Sequence, residues 1–275
     1  MNWPKSVVQW AVGDTLYLSV PFTWLVADAE KIAKSWKGKV QVGGPGLMKP
    51  TTCEGFEPIL FHSPLATFTS RGCPNRCPFC AVPKLEGEFQ EIRDFRPAPI
   101  ICDNNFTAAT RKHQESVVDR EKVFPYVEFN QGIEARRFTP ELADLLGSLK
   151  CKIRFAFDSW GNEGVVKDAI DLCRKRTTKD IGVYSLIGFH DNPESAKARL
   201  ELIRSWGIWP NPMRFQPLDA KEKNCYVGEN WTNKELQDMA RYYSRLRYLE
   251  HIPFEDYNAM PQEQIEMDME AVRGY

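Results

Sequence analysis

The sequence predicts an α/β fold: an open or partial (β/α)6 barrel with a small α/β unit ahead of it. From residue 66 onward, short apolar strand patterns alternate with amphipathic helix patterns. Strand–helix units in series give parallel strands joined by right-handed crossovers. Polar residues follow the strand patterns at their C-terminal ends, where ligands bind in such folds. A chain of 275 residues is long enough for one such domain with an appendage.

The composition excludes several classes of protein. With 43% apolar and 27% charged residues, the chain is neither disordered nor fibrous. Lysine plus arginine (36) nearly balances aspartate plus glutamate (37), so a nucleic-acid partner would need a local basic patch. The N-terminus shows no export-signal pattern, and no apolar run reaches the roughly 18 residues of a membrane span. We therefore expect a cytoplasmic protein with reduced thiols and no membrane partner.

The first predicted unit comprises residues 1–60. Its sequence indicates a strand at 15–20, a helix at 24–36 and a strand at 39–46 that ends in a glycine turn. The prolines of residues 48–65 indicate a linker to the next unit.

The second predicted unit, residues 61–230, holds the barrel, and residues 231–275 form a C-terminal helix with an acidic tail. Thr139 as N-cap, Pro140 at the first helical position and Glu141 in the first turn mark one helix start. The predicted strands are 66–72, 99–103, 126–131, 152–158, 181–189 and 212–219; the predicted helices are 107–123, 139–149, 162–176, 193–207 and 232–251.

Three cysteines stand close together in the loop after the first barrel strand. Cys73, Cys77 and Cys80 follow a Cys-x3-Cys-x2-Cys pattern, and the next cysteine is the distant Cys102. Three thiolates can hold three irons of a 4Fe–4S cluster and leave the fourth iron open. An open coordination position is where a metal site performs chemistry on a small molecule.

The cysteine loop has two other interpretations, a zinc site and a chance cluster of buried cysteines. Zinc sites favour paired Cys-x2-Cys units or added histidines, and His62 and His113 stand at no such spacing. A chance cluster of buried cysteines does not suit the polar turn that Asn75 and Arg76 form with the adjacent prolines. A non-catalytic iron–sulfur or zinc-binding protein stays open as the alternative function.

The segment "SRGCPNRCPFCAVPKLEG" (70–87), with Phe79 just before the last cysteine, resembles the radical S-adenosylmethionine (SAM) enzymes. The resemblance extends over residues 60–220 and is closest to the branch of methylthiotransferases and cobalamin-dependent enzymes. It implies that Cys73, Cys77 and Cys80 hold a 4Fe–4S cluster and that SAM binds the open iron. The reduced cluster then cleaves SAM to a 5′-deoxyadenosyl radical, which abstracts hydrogen from a substrate.

The resemblance also implies partners. The cluster needs a one-electron reductant such as flavodoxin or ferredoxin. The substrate is left open among a nucleoside or RNA base, a small metabolite and a peptide.

Asp103, Asn104 and Asn105 stand where this family carries a Gly-Gly-Glu-like segment that binds the SAM amino group. Their oxygens could accept hydrogen bonds from an ammonium. The alternative is an Asx turn that caps the next helix.

The next strand ends supply further candidates for SAM binding. Asn130 and Gln131 end the third strand, and Asp158 at the fourth could bond a ribose hydroxyl, although it could equally be a solvated loop carboxylate. By the same resemblance, Ile187 and Gly188 on the fifth strand lie beside the adenine, with plain core packing as the alternative for Ile187.

Two residues of the sixth strand are candidates for contact with the substrate. Arg214 and Gln216 fall on the same face by strand alternation. They could bind substrate inside the barrel or pair with a carboxylate there.

The N-terminal unit resembles the last part of the cobalamin-binding domain that precedes the barrel in one branch of the family. Residues 1–60 are too short for that whole domain, and the Asp-x-His-x-x-Gly signature is absent. Cobalamin is therefore not expected as a cofactor, and we expect the unit to be scaffold.

Overall fold

The structure is a computed structural model and describes residues 5–47 and 58–259. The first part of the predicted linker and the acidic tail lie outside these residues. The strands are β1 (Val8–Val12), β2 (Thr15–Ser19), β3 (Lys39–Gly43), β4 (Ala66–Thr67), β5 (Ser70–Arg71), β6 (Gln90–Glu91), β7 (Ile100–Ile101), β8 (Val127–Phe129), β9 (Cys151–Ala156), β10 (Ile181–Ile187) and β11 (Pro210–Arg214).

Helices alternate with these strands along the chain. The α-helices are α1 (Val26–Ser35), α2 (Ile59–His62), α3 (Val82–Leu85), α4 (Arg111–Glu121), α5 (Pro140–Leu146), α6 (Glu163–Arg176), α7 (Pro193–Ser205), α8 (Asn233–Ser244), α9 (Leu246–Leu249) and α10 (Phe254–Ala259). Short 3-10 helices cover Thr23–Leu25, Pro45–Leu47, Phe106–Ala108, Ala135–Arg137 and Trp160–Asn162. No helix within the described ranges combines the length and the apolar character needed to span a bilayer.

The N-terminal unit is a small three-stranded sheet with one helix. The predicted strand–helix–strand order of β2, α1 and β3 is confirmed, and β2 and β3 are parallel. The sequence prediction missed β1, which pairs antiparallel with β2. Leu16, Leu18 and Ala29 form the buried core between this sheet and α1.

The main sheet has six strands in the order β11-β10-β9-β8-β7-β4, and every neighbouring pair is parallel. The predicted α/β class is confirmed. Each strand lies beside the sheet strand that precedes it in the chain, so the sheet does not reverse direction as a doubly wound sheet does. The short strands β5 and β6 form a separate antiparallel pair that carries the cysteine loop.

The two sides of this sheet differ sharply. On β9, Ile153 and Phe155 are fully buried against a core that includes Leu142 of α5 and Ile170 of α6. We call this the helix side. Successive side chains of a strand point to opposite faces, so Arg154 points the other way, where an open cavity lies. We call that face the cavity side.

Local sequence signals place the starts of α5 and α8 correctly. The Thr139 hydroxyl accepts a hydrogen bond from Leu142 N (3.3 Å) at the start of α5, as an N-cap does. Thr232 and Glu235 form a capping box at the start of α8. These contacts satisfy amide groups that have no partner inside the helix.

Several boundaries differ from the prediction. The predicted strand 66–72 is divided between β4 of the main sheet and β5 of the separate pair, and the predicted helix 107–123 begins at Arg111. The last sheet strand covers Pro210–Arg214 rather than 212–219. The predicted helix 232–251 is divided, because α8 ends at Ser244 and α9 follows. Part of the predicted linker is helix α2, whose Phe61 stacks on Trp10 with ring centroids 4.3 Å apart.

The C-terminal segment packs against the last part of the sheet. Leu236 and Met239 of α8 share a buried core with Ile187 of β10 and Leu200 of α7. This shared core fixes the end of β10, where several predicted site residues lie.

Candidate metal and cofactor site

The cysteine loop is held by a contact with the end of β7 and by contacts between its own two ends. At its start, Gly72 N donates to the Asn104 side-chain oxygen (3.0 Å), beyond the end of β7. Arg71 donates two hydrogen bonds to Glu86 (2.6 and 2.7 Å), at the end of α3. Inside the loop, Cys80 N donates to Cys77 O (3.0 Å) and closes a turn. The loop is thus a fixed platform at the C-terminal edge of the sheet.

The three cysteines of the loop are half-buried and unbonded to other cysteines. Burial raises the pKa of the Cys77 thiol, as do Cys80 and Cys73, while Arg136 opposes the shift. Burial likewise raises the pKa of Cys80. Within the described ranges, no three His, Cys, Asp or Glu side chains stand close enough together to hold a single metal ion.

Two amide groups donate to the sulfur of Cys73. Asn75 N lies 3.4 Å and the Asn105 side-chain nitrogen 3.3 Å from Cys73 Sγ. The same Asn105 nitrogen lies 2.9 Å from Glu134 Oε2, which also accepts from the Asn75 side chain (2.7 Å). The predicted residue Asn105 therefore does lie at the cysteine loop.

Glu134 was missed by the sequence analysis. Burial alone would raise its pKa, but hydrogen bonds from Asn105 and Asn75, together with Arg136 and Arg137, hold it below the ordinary value. It reaches the loop because Gly132, with φ +86°, lets the backbone pass close to Asp103; a Cβ there would lie 2.4 Å from Asp103 O. The glycine two residues earlier was the only local signal for this approach.

A cavity of about 720 Å³ opens on the cavity side of the sheet, next to the loop. Four residues that the sequence predicted for cofactor binding meet there with one of the cysteines. The lining comprises Phe79, Cys80, Ile100, Glu128, Asn130, Gln131, Arg154, Asp158, Tyr184, Leu186 and Met213.

The floor of the cavity, where side chains of β8, β9 and β10 line it, is polar. The sequence pattern did not predict this polar floor. Arg154 Nη1 of β9 lies 2.5 Å from Glu128 Oε1 of β8. The Tyr184 hydroxyl of β10 donates to Asn130 O (3.3 Å). The cavity side of the sheet therefore carries charged and hydroxyl groups where the helix side carries buried apolar ones.

Asp158 lies at the end of β9 and lines the cavity. Its Oδ1 accepts a hydrogen bond from Leu186 N (2.7 Å). Burial raises its pKa, and the bond from Leu186 and the charge of Arg199 oppose that shift. One of its oxygens has no hydrogen bond to the described protein residues, which fits the predicted role towards a ribose hydroxyl.

Asp103 lies elsewhere, and its predicted role as an acceptor for the SAM ammonium does not fit this placement. It has no exposed surface. Its carboxylate accepts hydrogen bonds from Thr69 N (2.6 Å), the Thr69 hydroxyl (2.6 Å) and the Ser70 hydroxyl (2.7 Å). Asp103 therefore ties β7 to the strand that enters the cysteine loop, and it acts on the site only through that loop.

Ile187 and Gly188 do not line the cavity either. Ile187 is fully buried on the helix side against α7 and α8. Its neighbour Leu186 lines the cavity instead, because successive strand residues point to opposite faces. Gly188 N donates to Asp191 Oδ1 (2.9 Å), so Gly188 belongs to the turn after β10.

Arg214 and Gln216 are also outside the cavity lining. Arg214 Nη2 donates to Tyr226 O (2.7 Å) and to the Asn233 side chain (2.9 Å), towards α8. Gln216 follows the strand, and its buried amide atoms have no partner in the described protein. Met213 faces the cavity from β11 in their place.

Three of the remaining cysteines are buried in the body of the protein. Burial raises the pKa of Cys102 and Cys151 to about 12 and that of Cys173 to about 11. These thiols stay protonated at neutral pH, so they serve as packing groups.

Comparison with known proteins gives no match to a family model, to a curated protein or to a solved structure. The function must therefore be inferred from the residues of the chain itself.

Proposed function

We propose that this protein is a radical SAM enzyme, in which Cys73, Cys77 and Cys80 hold a 4Fe–4S cluster. One observation carries the proposal: the three-cysteine loop adjoins a cavity of about 720 Å³ whose wall includes Cys80 and the polar strand ends Asn130 and Asp158. A protein that only carries a cluster has no need of such a cavity.

The donor set fits the proposed cluster. The loop offers three thiols, and two N–H groups donate to one of the sulfurs. A cubane cluster binds its three cysteines on three different irons, so the thiols need not converge on a single point. When bound, the cluster and SAM supply a 5′-deoxyadenosyl radical by one-electron reduction of the sulfonium.

The fold supports a partial (β/α)6 barrel. Six parallel strands follow one another in chain order, and the core helices α5 and α6 pack on one side while the cavity lies on the other. In this proposal the sheet curves towards a barrel, and its two edge strands, β4 and β11, do not pair with each other.

In this proposal the strand ends bind SAM. Asn130 and Gln131 present amide groups, and Asp158 presents its unbonded oxygen to the ribose. The Gln131 amide nitrogen already donates to Cys102 O (3.0 Å), which leaves its oxygen for a ligand. Phe79 contributes an aromatic wall beside Cys80.

The cavity floor restricts the substrate. A ligand there meets the carboxylate of Glu128 and the guanidinium of Arg154 side by side. It must offer a hydrogen-bond donor to the first and an acceptor to the second. A nucleobase and a small zwitterionic metabolite both meet this requirement. We further propose a cytoplasmic location, a flavodoxin or ferredoxin as electron donor, and no dependence on cobalamin.

The decisive test is anaerobic reconstitution with iron and sulfide. We expect about four irons per chain, and release of 5′-deoxyadenosine when SAM and dithionite are added. Cys77→Ala should lose the iron, because two thiolates do not hold the cluster. Cys173→Ala, a buried cysteine far from the loop, is the matched control and should retain it.

Other results would change the assignment. Stoichiometric zinc without charge-transfer absorbance would favour the alternative, a zinc-binding protein. A cluster that never cleaves SAM would favour a non-catalytic iron–sulfur protein. Retention of about one hydroxocobalamin per chain after desalting would contradict the expected independence from cobalamin.

A further inference from the structure

We infer that Asn105 is a positioning residue that sets the reduction potential of the cluster through its hydrogen bond to Cys73. The inference rests on the proposed function, because it assumes that the cluster is present. It assigns to Asn105 a role different from the contact with SAM that the sequence predicted. The role depends on which end of the amide faces the sulfur.

The amide of Asn105 is buried between the cysteine loop and the turn after β8. Only 3% of the residue is exposed. Its nitrogen lies 3.3 Å from Cys73 Sγ and 2.9 Å from Glu134 Oε2. A side-chain amide has two N–H donors, and this geometry uses one for the sulfur and one for the carboxylate.

The orientation of the amide is fixed by its partners. The Thr107 hydroxyl donates to Asn105 Oδ1 (2.7 Å) and accepts from Glu134 N (3.2 Å). Since that backbone N–H can only donate, the hydroxyl hydrogen is left for Asn105. The Glu134 carboxylate, held ionised, can only accept. The contact with Glu134 therefore fixes the amide nitrogen on the side of Cys73, and the Thr107 hydroxyl donates to the oxygen on the other side.

Glu134 is itself held in place. Its carboxylate accepts from the Asn75 side chain (2.7 Å) and pairs with Arg136 (2.6 Å) and Arg137 (3.4 Å). The carboxylate cannot turn away without breaking these contacts. It therefore keeps the Asn105 nitrogen directed at the sulfur rather than at solvent.

A hydrogen bond to a cysteine sulfur withdraws charge from the cluster and stabilises its more negative, reduced form. Burial strengthens the effect because water cannot screen it. Asn105 thus raises the reduction potential and makes the cluster easier to reduce. Asn75 N makes the second contact with the same sulfur, but as a backbone group it survives side-chain substitution.

The test is a redox titration of the loaded protein, followed by electron paramagnetic resonance. Asn105→Leu keeps the size of the side chain and removes the donor. We expect the ratio of reduced to oxidised cluster at a fixed poise to fall about tenfold, which is ~59 mV for one electron. Asn211→Leu is the control for the substitution itself, because the Asn211 side chain, in β11, donates to Trp209 O (3.3 Å) and belongs neither to the cysteine loop nor to the contacts of Glu134. In this control the ratio of reduced to oxidised cluster at the same poise should stay within twofold of the wild-type ratio.

Two outcomes separate the inference from the proposed function. If the wild-type protein never takes up a cluster, the proposed function fails and the inference fails with it. If the wild-type protein takes up the cluster and loaded Asn105→Leu has an unchanged potential, the inference is overturned while the proposed function stands.

A third variant covers the case in which Asn105→Leu does not fold. Thr107→Val removes one of the two partners that orient the Asn105 amide, so Glu134 alone then holds the nitrogen at the sulfur. The potential should then move in the same direction by a smaller amount. No shift in Thr107→Val would count against the role of Asn105.

Discussion

The helix side and the cavity side of the six-stranded sheet are made from alternate residues of the same strands. On the helix side, Ile153 and Phe155 are closed off from water by α5 and α6. On the cavity side, Arg154 and Glu128 form a partly exposed ion pair with open space above it. Neighbours in sequence therefore lie in different surroundings, one closed off from water in the core and the other next to an open cavity.

Two aspartates at strand ends show what this division means for a single residue type. Asp103 is fully buried and accepts three hydrogen bonds from Thr69 and Ser70. Asp158 faces the cavity and accepts one, from Leu186 N. The number of protein partners, rather than the type of residue, separates a structural carboxylate from one available to a ligand.

The largest effect is expected for an apolar residue of the helix side. Phe155→Ala removes a fully buried ring that meets Phe138 edge-on at 5.2 Å. We expect a loss of about 3–5 kcal/mol in the free energy of unfolding, measured by urea titration. A loss below ~1 kcal/mol would mean that the helix side is not the stabilising face.

The two aspartates provide a matched pair of substitutions. Asp103→Asn puts an amide nitrogen against hydroxyl donors, and we expect it to cost roughly 2–3 kcal/mol in unfolding free energy. Equal losses in Asp103→Asn and Asp158→Asn would break the comparison. Unimpaired stability with weakened SAM binding in Asp103→Asn would restore its predicted cofactor role.

A carboxyl group on the helix side should make stability depend on pH. Burial raises the pKa of Glu121 to about 7, against an ordinary 4.5, although the bond from Ala98 N opposes the shift. Between these values the folded protein holds a proton that the unfolded chain has lost, so stability falls as pH rises and the loss is complete above about 7.

Glu121→Gln removes this titration. We expect the variant to match wild type below pH 4.5 and to exceed it by roughly 1–2 kcal/mol at pH 8, in urea titrations at both values. The protein relaxes around a buried charge, which keeps the gain below the full shift. A constant difference at all pH values would show that Glu121 does not titrate as described.

The smallest effect is expected for Asp158→Asn. The amide oxygen keeps the bond from Leu186 N, and the other atom faces the cavity. Unfolding free energy should change by less than ~0.5 kcal/mol, while isothermal titration should show weaker SAM binding. A large loss of stability would place Asp158 with the structural residues instead.

Local signals in the sequence predict much of this fold. The cap at Thr139 and the order of strands and helices depend on contacts within a few residues, and both are confirmed. The sequence also predicts that Asn130, Gln131 and Asp158 lie near the cysteine loop, because parallel strands end at the same edge of a sheet. All three line the same cavity as Cys80.

The errors arise where the answer depends on distant contacts. The pattern of 181–189 predicts a strand, but it does not predict which of Leu186 and Ile187 faces the cavity. Ile187 packs against α8, so Leu186 lines the cavity. Apart from the glycine two residues earlier, the sequence around Glu134 does not indicate its role, because its partners Asn75 and Asn105 are remote in sequence. The ion pair between Glu128 and Arg154 likewise depends on the register of β8 and β9. That register pairs Glu128 with Lys152 and so places Arg154 two residues further along β9.

The outer strand of the sheet has a consequence for self-association. Phe215 N donates inward to Ile187 O (2.9 Å), so by alternation the odd-numbered amides near the end of β11 face β10 and the even-numbered ones face outward. Two of those outward positions are Pro210 and Pro212, which have no N–H to offer. A strand from another molecule would find few donors along this edge. The β11 edge of the sheet thereby resists the edge-to-edge pairing that leads to aggregation.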